Sequence, residues 1–148
     1  MNFVGTLNLG NNVDVTDPCY KKGTWCRITT ECIPGTYYGY IETSNKCVCG
    51  MRVKRVKNIA IFKDNNMLPL DEMDTIGTIS VDSGLAGFFN NKKDFSEEEW
   101  EKLCKTIEKG DAWALYDGIF SNSGYGDGAY AVCTSHDRTA FAIIFIDE

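Results

Sequence analysis

The sequence predicts a mainly β (α+β) fold, with residues 1–148 forming a single domain built as an antiparallel-rich sandwich or a barrel-like sheet. Two observations favour this class. Segments of about eight to twelve residues alternate with turn-forming residues along the chain, which is typical of short strands. Aromatic residues make up 12% of the sequence, and strands carry such side chains well on a half-buried surface. A length of 148 residues is enough for one hydrophobic core.

The candidate strands are bounded by glycine, proline or polar turn residues. They span residues 3–9, 25–33, 36–42, 51–62, 75–81, 113–120, 129–134 and 139–146. A short polar segment, 135–138, joins the last two, which are expected to form a hairpin. The final strand is apolar on both faces, so we expect it in the middle of a sheet.

One amphipathic helix is predicted around residues 96–109. Ser96 is a suitable N-cap, and Glu99, three residues later, completes a capping box. Apolar residues then recur at helical spacing and are expected to face a sheet. These are Trp100, Leu103, Cys104 and Ile107. Gly110 is expected to end the helix.

The net charge of −6 argues against a nucleic-acid partner, because proteins that bind phosphates usually present a concentrated basic face. The segment RVKRVKNIAIFK, residues 52–63, is the exception, with five basic residues and no acid. We expect it to form a solvated edge strand, since charge on both faces of a strand discourages unwanted pairing.

The predicted location is the cytoplasm. No apolar run approaches the roughly 18 residues that a membrane helix needs, and the N-terminal residues lack the basic and apolar regions of a signal peptide. An odd number of cysteines, seven, is typical of free thiols in a reducing compartment. Their spacing does not match a structural zinc site.

Three acid-bearing turns are the candidate site. Asp17 precedes a proline, Asp82 follows an apolar strand, and Asp127 lies between two glycines in the stretch SNSGYGDGAY. If these strand ends share one edge of the fold, the carboxylates converge in an acidic pocket rimmed by tyrosines. The predicted ligand-binding residues are Asp17, Tyr20, Asp82, Ser83, Ser123, Tyr125, Asp127 and Tyr130.

Such a pocket suits a small cationic or polyhydroxylated ligand, or a basic segment of a partner protein, because carboxylates are charge-assisted acceptors. A divalent cation is also possible chemistry for convergent acids, but the spacing of an EF-hand is missing, so no metal or cofactor is assigned. The first alternative is a hydrolase that uses Asp82 and Asp127 as acid and base. The second is a protein-interaction domain without a small-molecule site, which predicts an exposed apolar patch.

The ordered segments TDPCY, IGTISVDSGLAGFF and SNSGYGDGAY resemble a family of small bacterial and phage proteins of unknown function. Its members carry Asp-Pro-Cys-Tyr, Asp-[Ser/Ala]-Gly-x-Ala-Gly and Ser-Ser-Gly-[Phe/Tyr]-Gly-Asp-Gly-x-Tyr boxes, and Asn122 departs from the last of these. The resemblance implies a shared site but no activity. It implies these signature positions: Asp17, Cys19, Tyr20, Asp82, Gly84, Gly87, Ser123, Gly124, Gly126, Asp127, Gly128 and Tyr130.

Overall fold

Two antiparallel sheets and one α-helix make up the part of the chain that the computed structural model describes, residues 1–20, 27–45, 47–56 and 67–146. The strands are β1 (Asn2–Leu9), β2 (Asn12–Thr16), β3 (Arg27–Glu31), β4 (Gly35–Ser44), β5 (Cys47–Arg55), β6 (Asp74–Val81), β7 (Leu85–Phe89), β8 (Ala112–Leu115), β9 (Gly118–Asn122), β10 (Gly128–Thr134) and β11 (Ala140–Ile144). The helix is α1 (Glu97–Thr106), and a 3₁₀ turn spans Leu70–Glu72.

The sheets pack face to face, which confirms the mainly β prediction and selects the sandwich over the barrel. Sheet A has the order β1-β4-β5-β11-β10-β6, and sheet B has the order β3-β2-β7-β9-β8. Strand β1 lies against β8 and β9, while β6 lies against β2 and β3. Among the strands of the described residues, neither sheet closes on itself, and each sheet has two edge strands.

The core lies between the sheets and follows from the alternation of side chains along each strand. Val13 and Val15 of β2 and Phe88 of β7 meet Phe141 and Ile143 of β11, and all five are at most 1% exposed. The apolar strand β11 lies between β5 and β10 and is covered on its second face as well, as the sequence predicts.

The helix covers the outer face of sheet B. Leu103 packs with Phe89, Trp113 and Phe120, whose neighbours in sequence point to the opposite face. The predicted capping box is confirmed, because the Glu99 N–H donates to Ser96 Oγ and the Ser96 N–H donates to the Glu99 carboxylate. The helix ends at Thr106, three residues earlier than predicted.

We expect Ser96→Ala to lower the free energy of unfolding by about 1 kcal/mol, because the Glu99 N–H loses its side-chain acceptor. Hydrogen bonds from Ser96 hold the pKa of Glu99 below its ordinary value, so the capping box is most favourable when Glu99 is ionised. The loss should therefore shrink as the pH falls through the acid range. Urea denaturation of wild type and mutant at several pH values measures both effects. Ser96→Asp keeps an acceptor, and an equal loss in that variant would argue against the cap.

One strand prediction was wrong, and two strands were missed. Residues 113–120 form the β8–β9 hairpin rather than one strand, and its turn holds Tyr116 and Asp117 at φ of +55° each. Residues other than glycine rarely adopt this left-handed conformation, so the residue types at these two positions did not predict a turn. The strands β2 and β7 were missed, because both are short and adjoin an acid-bearing turn. Strand β2 ends directly before Asp17, and β7 begins directly after the turn that bears Asp82.

The basic segment does not form an edge strand, which corrects another prediction. Its N-terminal part belongs to β5, which pairs with β4 on one side and β11 on the other. Met51 and Val53 are fully buried in the core. Arg52 lies on the outer face, where its guanidinium donates to the carbonyl oxygen of Leu68 at 2.5 Å. Residues 57–63 of the segment lie outside the described residues.

Candidate functional site

Three turns that bear the candidate acids meet at one end of the sandwich. We call them turn 1 (residues 17–20, after β2), turn 2 (82–84, between β6 and β7) and turn 3 (123–127, between β9 and β10). Turns 2 and 3 each cross from one sheet to the other. The Ser123 N–H donates to the Gly84 carbonyl oxygen at 3.0 Å, and Gly128 pairs with Val81. Asp82 and Asp127 therefore each lie one residue beyond this last pair.

Asp17 of turn 1 is fully buried and is occupied by the protein itself. Its Oδ2 accepts the N–H groups of Asp82 and Ser83, both at 2.9 Å. Its Oδ1 accepts the Cys19 N–H at 2.9 Å and the Ser83 hydroxyl at 2.6 Å. The carboxylate thus joins turn 1 to turn 2 with three hydrogen bonds and closes turn 1 with the fourth. Asp17 is a structural residue that positions Asp82, rather than a group that faces a ligand.

Turn 2 presents its own carboxylate to solvent. Asp82 is exposed, and it accepts a hydrogen bond from the hydroxyl of the half-buried Tyr20. The Ser83 hydroxyl, besides donating to Asp17, accepts the Leu85 N–H at 3.3 Å. Of the predicted residues on turns 1 and 2, Asp82 and Tyr20 are therefore oriented toward the surface, while the Ser83 hydroxyl closes the turn.

Turn 3 explains why glycines alternate in SNSGYGDGAY. Gly124 and Gly126 have φ values of +60° and +112°, which favour glycine. Ser123 is buried, and its hydroxyl donates to the Gly126 carbonyl oxygen at 2.8 Å, while the Gly126 N–H donates back to the Ser123 carbonyl oxygen at 2.9 Å. This tight turn holds Tyr125 in solvent with 85% of its surface exposed.

Tyr130, predicted to line a pocket, instead stabilises the backbone of turn 3 through hydrogen bonds from its hydroxyl group. Its hydroxyl lies 3.0 Å from the Ser123 carbonyl oxygen and also contacts that of Gly126. Burial raises the pKa of Tyr130, and the charge of Asp127 adds to the rise, so the phenol remains a donor at neutral pH. Tyr130 and Ser123 are therefore scaffold for the exposed Tyr125 and Asp127.

The two candidate catalytic residues, Asp82 and Asp127, are both exposed. An acid–base pair of carboxylates needs unequal environments, in which one group is held protonated by burial. Two solvent-exposed aspartates on neighbouring turns do not provide that difference. The geometry therefore favours a binding surface over paired-carboxylate hydrolysis.

A cleft of about 270 Å³ lies on the other side of Tyr20, between turn 1 and the start of α1. Its lining residues are Pro18, Cys19, Tyr20, Lys92, Asp94, Phe95, Ser96, Glu97 and Trp100. Trp100 was expected to pack on the sheet, but it is 43% exposed because it forms a wall of this cleft. Burial raises the pKa of Cys19 to about 11, so its thiol is protonated and unreactive at neutral pH.

Sequence reasoning missed the cleft residues on the 92–97 segment. They lie more than seventy positions from turn 1 in the sequence, and no local motif connects the two segments. The available signal was the run KKDFS before the helix, in which a phenylalanine and a lysine precede the N-cap. Only the fold shows that this run faces Tyr20.

No cluster of three or more His, Cys, Asp or Glu side chains suited to a metal ion occurs within residues 1–20, 27–45, 47–56 and 67–146. Within the same ranges, the helical segments are too short and too polar to cross a membrane.

The fold and its turns define the chain as a two-sheet antiparallel β-sandwich protein with an acidic, tyrosine-bearing loop surface. No protein-family model, curated protein or solved structure gives a significant match to it. The resemblance to small bacterial and phage proteins therefore stays a prediction.

Proposed function

We propose that the protein is a binding module that recognises a basic segment of a partner protein through its acidic loop surface. We define this surface by Tyr20, Asp82, Tyr125 and Asp127. The observation that carries the proposal is the exposure of Asp82, Tyr125 and Asp127 on two turns that contact each other directly.

The backbone beneath this surface is held in place before any partner arrives. The buried carboxylate of Asp17 fixes turn 2, while Ser123 and Tyr130 fix turn 3. A preorganised surface loses less conformational entropy on binding, so more of the contact energy contributes to affinity. Exposed tyrosines on rigid loops are also frequent hot spots in interfaces, because they bring a large contact area with few rotatable bonds.

Charge favours a cationic partner. The chain has a net charge of −6, and the acidic loop surface presents two exposed aspartates, Asp82 and Asp127, on neighbouring turns. Carboxylates at an interface accept strong hydrogen bonds from lysine and arginine and raise the rate of encounter with a basic partner. Because the side chains stand in solvent instead of enclosing a cavity, an extended basic segment suits them better than a small cationic or polyhydroxylated molecule.

The test measures binding of a fluorescently labelled oligoarginine peptide by anisotropy, at physiological salt where the Debye length is about 8 Å. We expect Tyr125→Ala, which leaves the net charge unchanged, to weaken binding by about tenfold. The double variant Asp82→Asn/Asp127→Asn should weaken it by at least about tenfold, since both charged acceptors are lost.

The matched control is Glu98→Gln/Glu101→Gln on the exposed side of α1, which removes the same two negative charges. If binding depends on the acidic loop surface, this control should stay within about twofold of wild type. Equal losses in the two double variants would mean that the peptide responds to overall charge, and the proposal would be rejected.

We also propose a reducing compartment, the cytoplasm, as the place where this binding occurs. Cys19, Cys32, Cys47, Cys104 and Cys133 are free thiols, and disulfides would be expected in a small domain of an oxidising compartment.

A further inference from the structure

Lys92 is a buried lysine on the wall of the cleft beside Tyr20. Only 3% of its surface is exposed, although lysine is almost never buried to this extent. Its backbone N–H donates to the Asp14 carboxylate at 2.7 Å, which fixes the position of Lys92 three residues after the end of β7. Its ammonium nitrogen lies 3.9 Å from the centre of the Phe95 ring and donates to the Lys93 carbonyl oxygen.

The cleft around Lys92 combines an apolar body with a few polar groups, as small-molecule sites usually do. Tyr20, Phe95 and Trp100 supply flat aromatic surface, and Asp94 and Glu97 supply carboxylates. A volume of about 270 Å³ accommodates a compound the size of a substituted benzene ring.

Burial also changes the chemistry of the amine. Loss of hydration lowers the pKa of Lys92, and the nearby charge of Arg27 lowers it further, while Asp94, Cys19 and Glu99 oppose the shift. A larger fraction of this amine is therefore neutral at a given pH than of an exposed lysine. Only the neutral form of an amine is a nucleophile.

We propose that Lys92 is a nucleophilic lysine that captures a small aldehyde or ketone with an apolar or aromatic body, held in the cleft between Tyr20, Phe95 and Trp100. The cleft shares Tyr20 with the acidic loop surface, but Asp82, Tyr125 and Asp127 do not line it, so different variants test the two sites. A carbonyl compound fits the combination of one desolvated amine with aromatic walls better than an anion does, because Asp94 and Glu97 line the same space.

The reaction is a reversible condensation without any redox change. The neutral amine attacks the carbonyl carbon and forms a C–N bond, and one proton moves from nitrogen to oxygen to give a carbinolamine. The second proton of the nitrogen is then transferred to the hydroxyl group, which leaves as water, and a C=N bond remains between the ligand and Lys92. Asp94 and Glu97 supply carboxylates that can relay the proton during both transfers.

Benzaldehyde with sodium cyanoborohydride tests the proposal, because the hydride reduces the C=N bond to a stable benzylamine at the lysine that formed it. Peptide mapping by mass spectrometry then gives the labelling rate of each lysine in the folded protein. We expect Lys92 to be labelled several-fold faster than its exposed neighbour Lys93, because a larger fraction of its amine is neutral and the cleft holds the aldehyde beside it. A lysine buried only for structural reasons reacts more slowly than Lys93, and that order would overturn the proposal.

Two variants separate the cleft from the amine. Trp100→Ala removes one partly exposed wall and should lower the labelling rate of Lys92 several-fold while leaving that of Lys93 unchanged. An unchanged rate at Lys92 would mean that the cleft does not hold the aldehyde. Lys92→Arg keeps a cation near Phe95 but cannot form the imine, so the fast-labelled site should disappear in a protein whose circular dichroism spectrum is unchanged; fast labelling that persists elsewhere would also contradict the proposal.

Discussion

Asp17→Ala should lower the free energy of unfolding by about 3–5 kcal/mol, because it leaves three backbone N–H groups near a buried site without their acceptor. Asp82, Ser83 and Cys19 all donate to this carboxylate, and the Ser83 hydroxyl gives a fourth bond. Each unsatisfied buried donor costs about 1–3 kcal/mol, and water can reach only part of the space that the mutation opens. Urea denaturation followed by circular dichroism measures the loss.

Asp82→Ala is the matched control for Asp17→Ala. It removes a carboxylate from the same network, but an exposed one, whose partner is the hydroxyl of Tyr20. We expect a change within about 1 kcal/mol, the range of surface polar contacts. Similar losses in the two variants would show that the Asp17 carboxylate does not hold turns 1 and 2 together.

Gly87→Ala should be comparably destabilising, by about 3 kcal/mol or more, because there is no room for a methyl group at this position. A Cβ atom on Gly87 would lie 2.2 Å from the Ile119 carbonyl oxygen and 2.5 Å from Phe120 Cβ. Both contacts belong to the paired strand β9, and β7 is held on its other side by β2. The backbone therefore cannot move away without breaking one of two strand pairings.

Gly10→Ala is the comparison for Gly87→Ala, since a Cβ atom there would have its nearest neighbour at 3.8 Å. We expect its stability to stay within about 0.5 kcal/mol of wild type, because alanine also restricts the unfolded chain. Thermal and urea denaturation of both variants would show the contrast. A mild effect of Gly87→Ala would mean that strands β7 and β9 separate more easily than their pairing indicates.

The features that sequence reasoning predicted are those with local causes. Ser96 and Glu99 form their capping box within four residues, and the apolar run of β11 requires cover on both faces wherever the strand lies. The sequence also placed Asp17, Asp82 and Asp127 at transitions between strand and loop, but it left open whether turns 1, 2 and 3 meet. The capping box and the cover of β11 each need only the periodicity of one element.

The errors come from interactions between segments that are distant in the sequence. Charge on both faces of residues 52–55 indicated an edge strand, but Met51 and Val53 pack in the core between the sheets, and β5 became an inner strand. The carboxylate of Asp17 was predicted to bind a ligand, but it accepts the backbone N–H groups of turn 2, a contact that the sequence does not show. The cleft beside Lys92 joins segments that share no pattern, so its existence depends on the packing of α1.

Turn 3 separates the residues that shape its backbone from the residues that it displays. Ser123, Gly124, Gly126 and Tyr130 set the conformation, whereas the side chains at positions 125 and 127 point into solvent and contribute little to folding. New chemistry can therefore be introduced at those two positions without disturbing the sandwich. A combinatorial library randomised there, on an otherwise constant chain, would make this protein a starting scaffold for engineered recognition of unrelated targets.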